Sequence, residues 1–180
     1  MSRTPVREAF LQLAQEELLG IFPQIGTIVS EIDLDLVEEA RFVREKIERA
    51  IVREACESFD DKQLFKMETN LTMQELCLDK GTYQRLFELD EEFHMILFEA
   101  CRKLRTWKMV RQMNSHFDRL RVLRLAYNPD WNVVISQHRE IFEAISKRDP
   151  DQAELVMTHH LKLVNFEKDD IKERYPEYFK

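Results

Sequence analysis

LDLVEEARFVREKIERAIVREACESF, residues 34–59, decides the fold. Its apolar residues recur every three or four positions, and Leu36, Ala40, Val43, Ile47, Ala50 and Ile51 share one face. That is the period of an amphipathic helix, and the pattern runs far too long for a strand. The same period continues downstream. Asp60 and Asp61 offer caps for a second helix carrying Leu64, Met67, Leu71 and Leu76, which LDKGTY interrupts at Gly81. A third helix carries Leu86, Leu89, Phe93, Leu97 and Ala100. A fourth is expected from Leu104 to Leu125, with Trp107, Val110, Met113, Phe117, Leu120 and Leu123 inward. NPD at 128–130 is a turn signal, and Asp130 can cap a fifth helix bearing Val134, Ile135, Ile141, Phe142 and Ile145. After RDPDQ at 148–152, with Pro150 at a helix start, a last helix carries Ala153, Val156, Met157, Leu161 and Val164 and frays near Pro176. Residues 31–180 are therefore expected to form an antiparallel bundle of about six helices.

Residues 1–30 read differently. A short helix, capped by Ser2 or Thr4 with Pro5 in its first turn, shows Val6, Phe10, Leu11, Leu13 and Leu18 on one side. GIFPQIGTIVS follows, with Gly26 as a turn point between two short strands. This piece is too small to bury a core of its own.

Composition narrows the function. The 180 residues are 44% hydrophobic and 34% charged, with three Gly and five Pro, which fits a helical globular chain. The net charge of −7 disfavours nucleic-acid binding unless basic residues cluster on one element. Cys56, Cys77 and Cys101 have no metal-ligand or disulfide spacing and read as buried free thiols in a reducing compartment. No apolar run approaches the roughly 20 residues of a membrane span, and the start lacks a signal-peptide core, so a cytoplasmic protein is expected.

Three histidines fall on apolar stripes of separate helices: His94 on the third, His138 on the fifth and His160 on the last. Asp90 lies one turn before His94, so the two share a face about 6 Å apart. An unpartnered imidazole or carboxylate inside a core costs several kcal/mol, so these groups must meet partners. Separate satisfaction within the core is the plain alternative, but convergence on one cavity explains all four together. One Asp and three His suit zinc, with nickel, manganese or iron as alternatives, and a six-coordinate ion would keep two positions open for water or a carboxylate. HExxH, a nucleophile motif beside a histidine and a glycine-rich phosphate loop are absent. Glu91 and His94 supply only one of the two Glu-x-x-His pairs of a two-iron bundle. A metal-dependent enzyme and a metal-free helical dimerisation module remain the rival readings. His116 and His159 fall beside the stripes and read as surface or rim residues.

SRTPVREAFLQLAQEELLGIFPQIGTIVS, residues 2–30, resembles the recognition helix and wing of the GntR family of transcription regulators, FadR subfamily. The remainder resembles that subfamily's all-helical effector-binding (FCD) domain, whose motif is Asp-x-x-Phe-His followed by two later histidines; Asp90 to His94, His138 in QHREIFEAI and His160 in MTHHLKLV match it. The resemblance implies a metabolite-responsive homodimer, not an enzyme, that binds a small organic acid at a metal held by Asp90, His94, His138 and His160. It implies effector contacts from Arg41, Arg119 and Arg121, since a planar guanidinium suits a carboxylate. It also implies operator-DNA contacts from Arg3, Thr4 and Arg7. A full winged helix has two helices before the recognition helix, so residues 1–30 match only part of that module. Ile25, Glu17 and Phe22 replace the arginine, glycine and basic residue usual there. With Arg3 and Arg7 set against Glu8, Glu16 and Glu17, weak operator binding by these residues alone is expected.

Overall fold

A computed structural model describes residues 3–127, 131–163 and 168–180. The expected turn at 128–130 with its Asp130 cap, and Val164, lie outside the described residues, as does the side chain of Arg3. Helix α1 (Arg3–Gln15) leads into a hairpin of β1 (Leu19–Phe22) and β2 (Gly26–Val29), which pair antiparallel with Leu19 opposite Val29. Val6, Phe10, Leu11 and Leu13 of α1 remain exposed, as a fragment without its own core requires. Glu17, just past α1, adopts φ 61°, and the Leu18 N–H closes on the Leu13 carbonyl at 2.9 Å. This left-handed stop is the position glycine fills at no steric cost. Glu17→Gly is expected to stabilise the end of α1 by about 1 kcal/mol. Slower amide exchange in its last turn is the check, and unchanged or faster exchange counts against it.

The rest is helical. Asp33 caps α2 (Leu34–Ser58), its side chain accepting from the Asp35 N–H at 2.9 Å. Asp60 caps α3 (Asp61–Asp79) by accepting from the Gln63 N–H at 2.9 Å, and α3 ends at Gly81, whose φ of 67° reverses the chain. Helices α4 (Tyr83–Ala100), α5 (Leu104–Gln112), α6 (Ser115–Tyr127), α7 (Asn132–Ser146), α8 (Pro150–Lys162) and α9 (Lys168–Arg174) follow. Asp149 caps α8 through the Gln152 N–H at 3.0 Å, with Pro150 in its first turn. α2 packs mainly on α8, α3 on α4 and α7, and α7 on α8. Their shared core holds Ile51, Val52, Met67, Phe93, Leu97, Ile141 and Met157. The chain's end returns to its beginning: Ile32 bridges Phe179 in parallel, donating to the Tyr178 carbonyl at 2.7 Å and accepting from the Lys180 N–H at 3.0 Å. Among the described residues no helix is long and apolar enough to cross a membrane.

The all-helical class follows the sequence period, but details differ, and Leu76 and Met113, expected inward, are exposed. The expected fourth helix divides into α5 and α6 at Met113 and Asn114, where the Asn114 carbonyl restarts the ladder by accepting from the Asp118 N–H at 2.7 Å. The buried residues of α2 are Val37, Ala40, Arg41, Arg44, Glu45, Glu48, Ile51, Val52, Ala55 and Cys56, whereas Ala50 is exposed. The phase is shifted because four charged residues are buried along with the apolar ones. His116 is buried rather than at the surface: its Nδ1 accepts from the Asp33 N–H at 3.1 Å, so it joins α6 to the start of α2.

Candidate metal centre

The spacing of four between Asp90 and His94 places both on the inward face of α4, and both are buried. His138 of α7 and His160 of α8 are buried opposite them. One ligand atom from each of the four lies within 4.8 Å of every other. The His160 Nε2 stands 3.2 Å from that of His94 and 3.3 Å from that of His138, and the His138 Nε2 stands 3.6 Å from Asp90 Oδ1. Phe93 stacks on the His138 ring at a centroid distance of 4.0 Å and holds it in place.

The opposite edge of each ring faces an oxygen. Glu48 Oε2 is 2.5 Å from His94 Nδ1, Gln74 Oε1 is 2.9 Å from His138 Nδ1, and Gln137 Oε1 is 3.3 Å from His160 Nδ1. Gln74 is itself oriented, donating to Asn70 Oδ1 at 2.7 Å, while Asn70 donates to the Leu89 carbonyl at 3.1 Å. An oxygen beside each Nδ1 suits a proton there and leaves each Nε2 facing the other ligands. Burial, and next the neighbouring imidazoles, push His138 and His160 well below the ordinary histidine range, which keeps them neutral. Three Nε2 atoms and a carboxylate oxygen then converge on one point. A cation suits that donor set. Two nitrogens bound to one ion at about 2.0–2.1 Å are roughly 3 Å apart, which matches the separations here.

Asp90 faces two ways. Its Oδ2 pairs with Arg121 Nη2, and Oδ1 is left toward the histidines. Burial is the largest influence and would raise its pKa, but Arg121 and the other cations around it together outweigh that and lower it, so the group is a carboxylate. Arg121 also pairs with Glu91, and with Asp118 at 3.2 Å, and Arg111 reaches both of those acids at 2.5 Å. Arg44 holds Glu48 at 2.7 Å, and with His94 it keeps Glu48 ionised despite complete burial. Beside the four ligands is a small cavity of about 40 Å³, lined among others by Arg44, Arg121, Arg124, Phe117, Trp131 and Val134.

The structure thus brings together Asp90, His94, His138, His160 and Arg121. Arg41 does not reach this cavity, because Glu38 and Glu45 hold its guanidinium, Glu45 at 2.6 Å; Arg44, one turn on, lines the cavity instead. Arg119 lines a different cleft, since two positions along α6 turn it well away from Arg121. Thr4 and Arg7 are exposed on α1, far along the chain from the centre. Sequence reasoning missed Arg44, Glu48 and Gln74. Their signal was positional: Arg44 and Glu48 continue the stripe from Ala40 to Ile51, and Gln74 continues that of Met67 and Leu71.

Comparison with known proteins agrees with this architecture. Residues 39–163 match the FCD domain. The chain is 32% identical over 179 residues to the HTH-type transcriptional repressor RspR of Escherichia coli strain K12, covering 99% of this chain and 78% of that protein. It is 36% identical over 182 residues to an HTH-type transcriptional regulator of Streptomyces ambofaciens, covering 99% of this chain and 75% of that one. Among solved structures, E. coli McbR/YncC superposes with a TM-score of 0.80 at 19% identity, over 99% of this chain and 87% of that chain. Streptococcus agalactiae GntR superposes with a TM-score of 0.58 at 23% identity, over 89% and 80%. The E. coli and S. ambofaciens sequence relatives are named as regulators of transcription. The chain belongs to the HTH-type transcriptional regulators that carry an FCD domain.

Proposed function

We propose that the helical residues 31–180 sense a small organic carboxylate at a divalent metal ion, zinc before nickel, manganese or iron, and that residues 1–30 belong to the DNA-contacting module of a cytoplasmic homodimer. Asp90, His94, His138 and His160 would hold the ion, which when bound offers a Lewis-acidic edge to carboxylate oxygens. Glu48, Gln74 and Gln137 fix the rings, and Arg44 and Arg121 supply positive charge beside the same cavity. The observation that carries this reading is the convergence of three Nε2 atoms on rings that each have an oxygen beside Nδ1. The cavity holds little more than a water molecule, so an acid must push its walls apart. Arg121 links α6 to Asp90 of α4, so that opening would move α6 and bias the geometry of the dimer toward or away from the operator. Arg3, Thr4 and Arg7 would face the DNA.

Zinc titration into chelator-treated chain tests the reading. One equivalent should bind, and at a free concentration 100-fold above Kd the chain should gain about 2.7 kcal/mol of stability. Citrate and lactate should then bind only the zinc-loaded form. Absence of stoichiometric uptake would leave a metal-free helical module, and turnover of the acids would point to an enzyme.

A further inference from the structure

α6 carries a third arginine, Arg119, that does not line the cavity beside the four ligands. Between the end of α1, the segment at Ile32 and α6 lies a cleft of about 620 Å³, within the usual range for small-molecule sites. Its walls are mostly apolar, with Leu18, Ile32, Val122, Leu123 and Tyr178 among them. The charged groups that line it differ in their engagement. Arg111 and Asp118 are paired with each other at 2.5 Å, and Glu16 accepts from the Gln12 amide at 3.1 Å. Arg119 makes no ion pair among the described residues, and its Nη1 is sealed from solvent with no acceptor. Burial without a counter-charge lowers its pKa. A guanidinium in that position gains more from an incoming anion than one already matched.

We infer that this cleft is a second ligand site, separate from the metal centre, for an amphipathic organic monocarboxylate whose head pairs with Arg119 and whose apolar body lies on Leu18, Val122 and Leu123. A single unmatched positive charge with Glu16 and Asp118 nearby favours a monoanion over a dianion. Leu18 belongs to the N-terminal fragment and Arg119 to α6, so an occupant touches both sides of the junction.

Octanoate is the probe, titrated calorimetrically into the intact chain, with 1-octanol as a neutral control. Saturable one-site binding is expected for octanoate. It should weaken at least tenfold for octanol and for Arg119→Gln, and should weaken also for Val122→Glu. Circular dichroism and melting of Arg119→Gln should match the wild type. Binding should persist with chelator present and in His138→Ala. No saturable binding overturns the site, as does equal affinity in Arg119→Gln. Loss of binding with chelator or in His138→Ala also overturns it, because the acid would then sit at the metal centre. Self-association that Val122→Glu abolishes, without octanoate binding, overturns it in favour of a second copy of this chain.

Discussion

His138→Ala is expected to lower zinc affinity by more than about 100-fold, beyond the 10- to 100-fold usual for losing a group that merely orients a ligand. The His138 Nε2 lies 3.3 Å from that of His160 and 3.6 Å from Asp90 Oδ1, so its loss leaves two imidazoles on α4 and α8 and one carboxylate. It also strands Gln74, whose Oε1 has His138 as its partner, and opens a gap against Phe93. The metal-free variant should therefore be slightly less stable than wild type, and zinc should no longer raise its melting temperature. Competition against a chromophoric chelator measures the first effect and thermal melts with and without zinc the second. Gln74→Leu separates ligation from orientation: it keeps all four ligands, so its affinity should fall between the two. Equal zinc binding by wild type and His138→Ala would sink the site.

Arg121→Leu is the second large effect, and it concerns stability. Arg121 is buried, stacked 4.5 Å from the Phe87 ring, and paired with Asp90, Glu91 and Asp118. Removing one partner from such a group leaves charge uncompensated, at a cost of about 3–5 kcal/mol. For a chain of this size that corresponds to a fall of roughly 6–20 °C in melting temperature. The sign with pH follows from the shifts. Arg121 holds Asp90 and Glu91 below the ordinary carboxylate range, so its contribution is present above about pH 4 and fades as pH falls through the lowered values. In Arg121→Leu the stranded acids take up protons earlier, so the deficit should be larger at pH 7 than at pH 5. A deficit that is constant with pH would assign the loss to packing on Phe87 instead.

The helical class was legible because apolar period survives wherever burial is apolar. Leu86, Leu89, Phe93 and Leu97 are inward as spaced. Asp90, His94, His138 and His160 were legible for the converse reason, being the wrong chemistry in the right phase. The ring around them was not. Glu48 and Arg44 are types that usually mark a solvated face, and only their pairing across one turn makes them tolerable inside. Reading α2 without them rotated its face toward Ala50. The break at Asn114 was hidden because α5 and α6 each continue the apolar period across it. Arg41 lies one turn before Arg44 and Arg119 two positions before Arg121, and pattern matching alone does not resolve which guanidinium lines the cavity beside the four ligands.

The tail's grip on Ile32 determines how force passes along the chain. Lys180 Nζ adds a contact to Asp33 Oδ2 at 3.1 Å, next to the cap of α2. The segment that joins the hairpin to the helices is therefore tied down by a strand-like crosspiece, which acts as a latch. A bulky group fused after Lys180 would press on the latch itself, and so would act on the hairpin from the far end of the sequence.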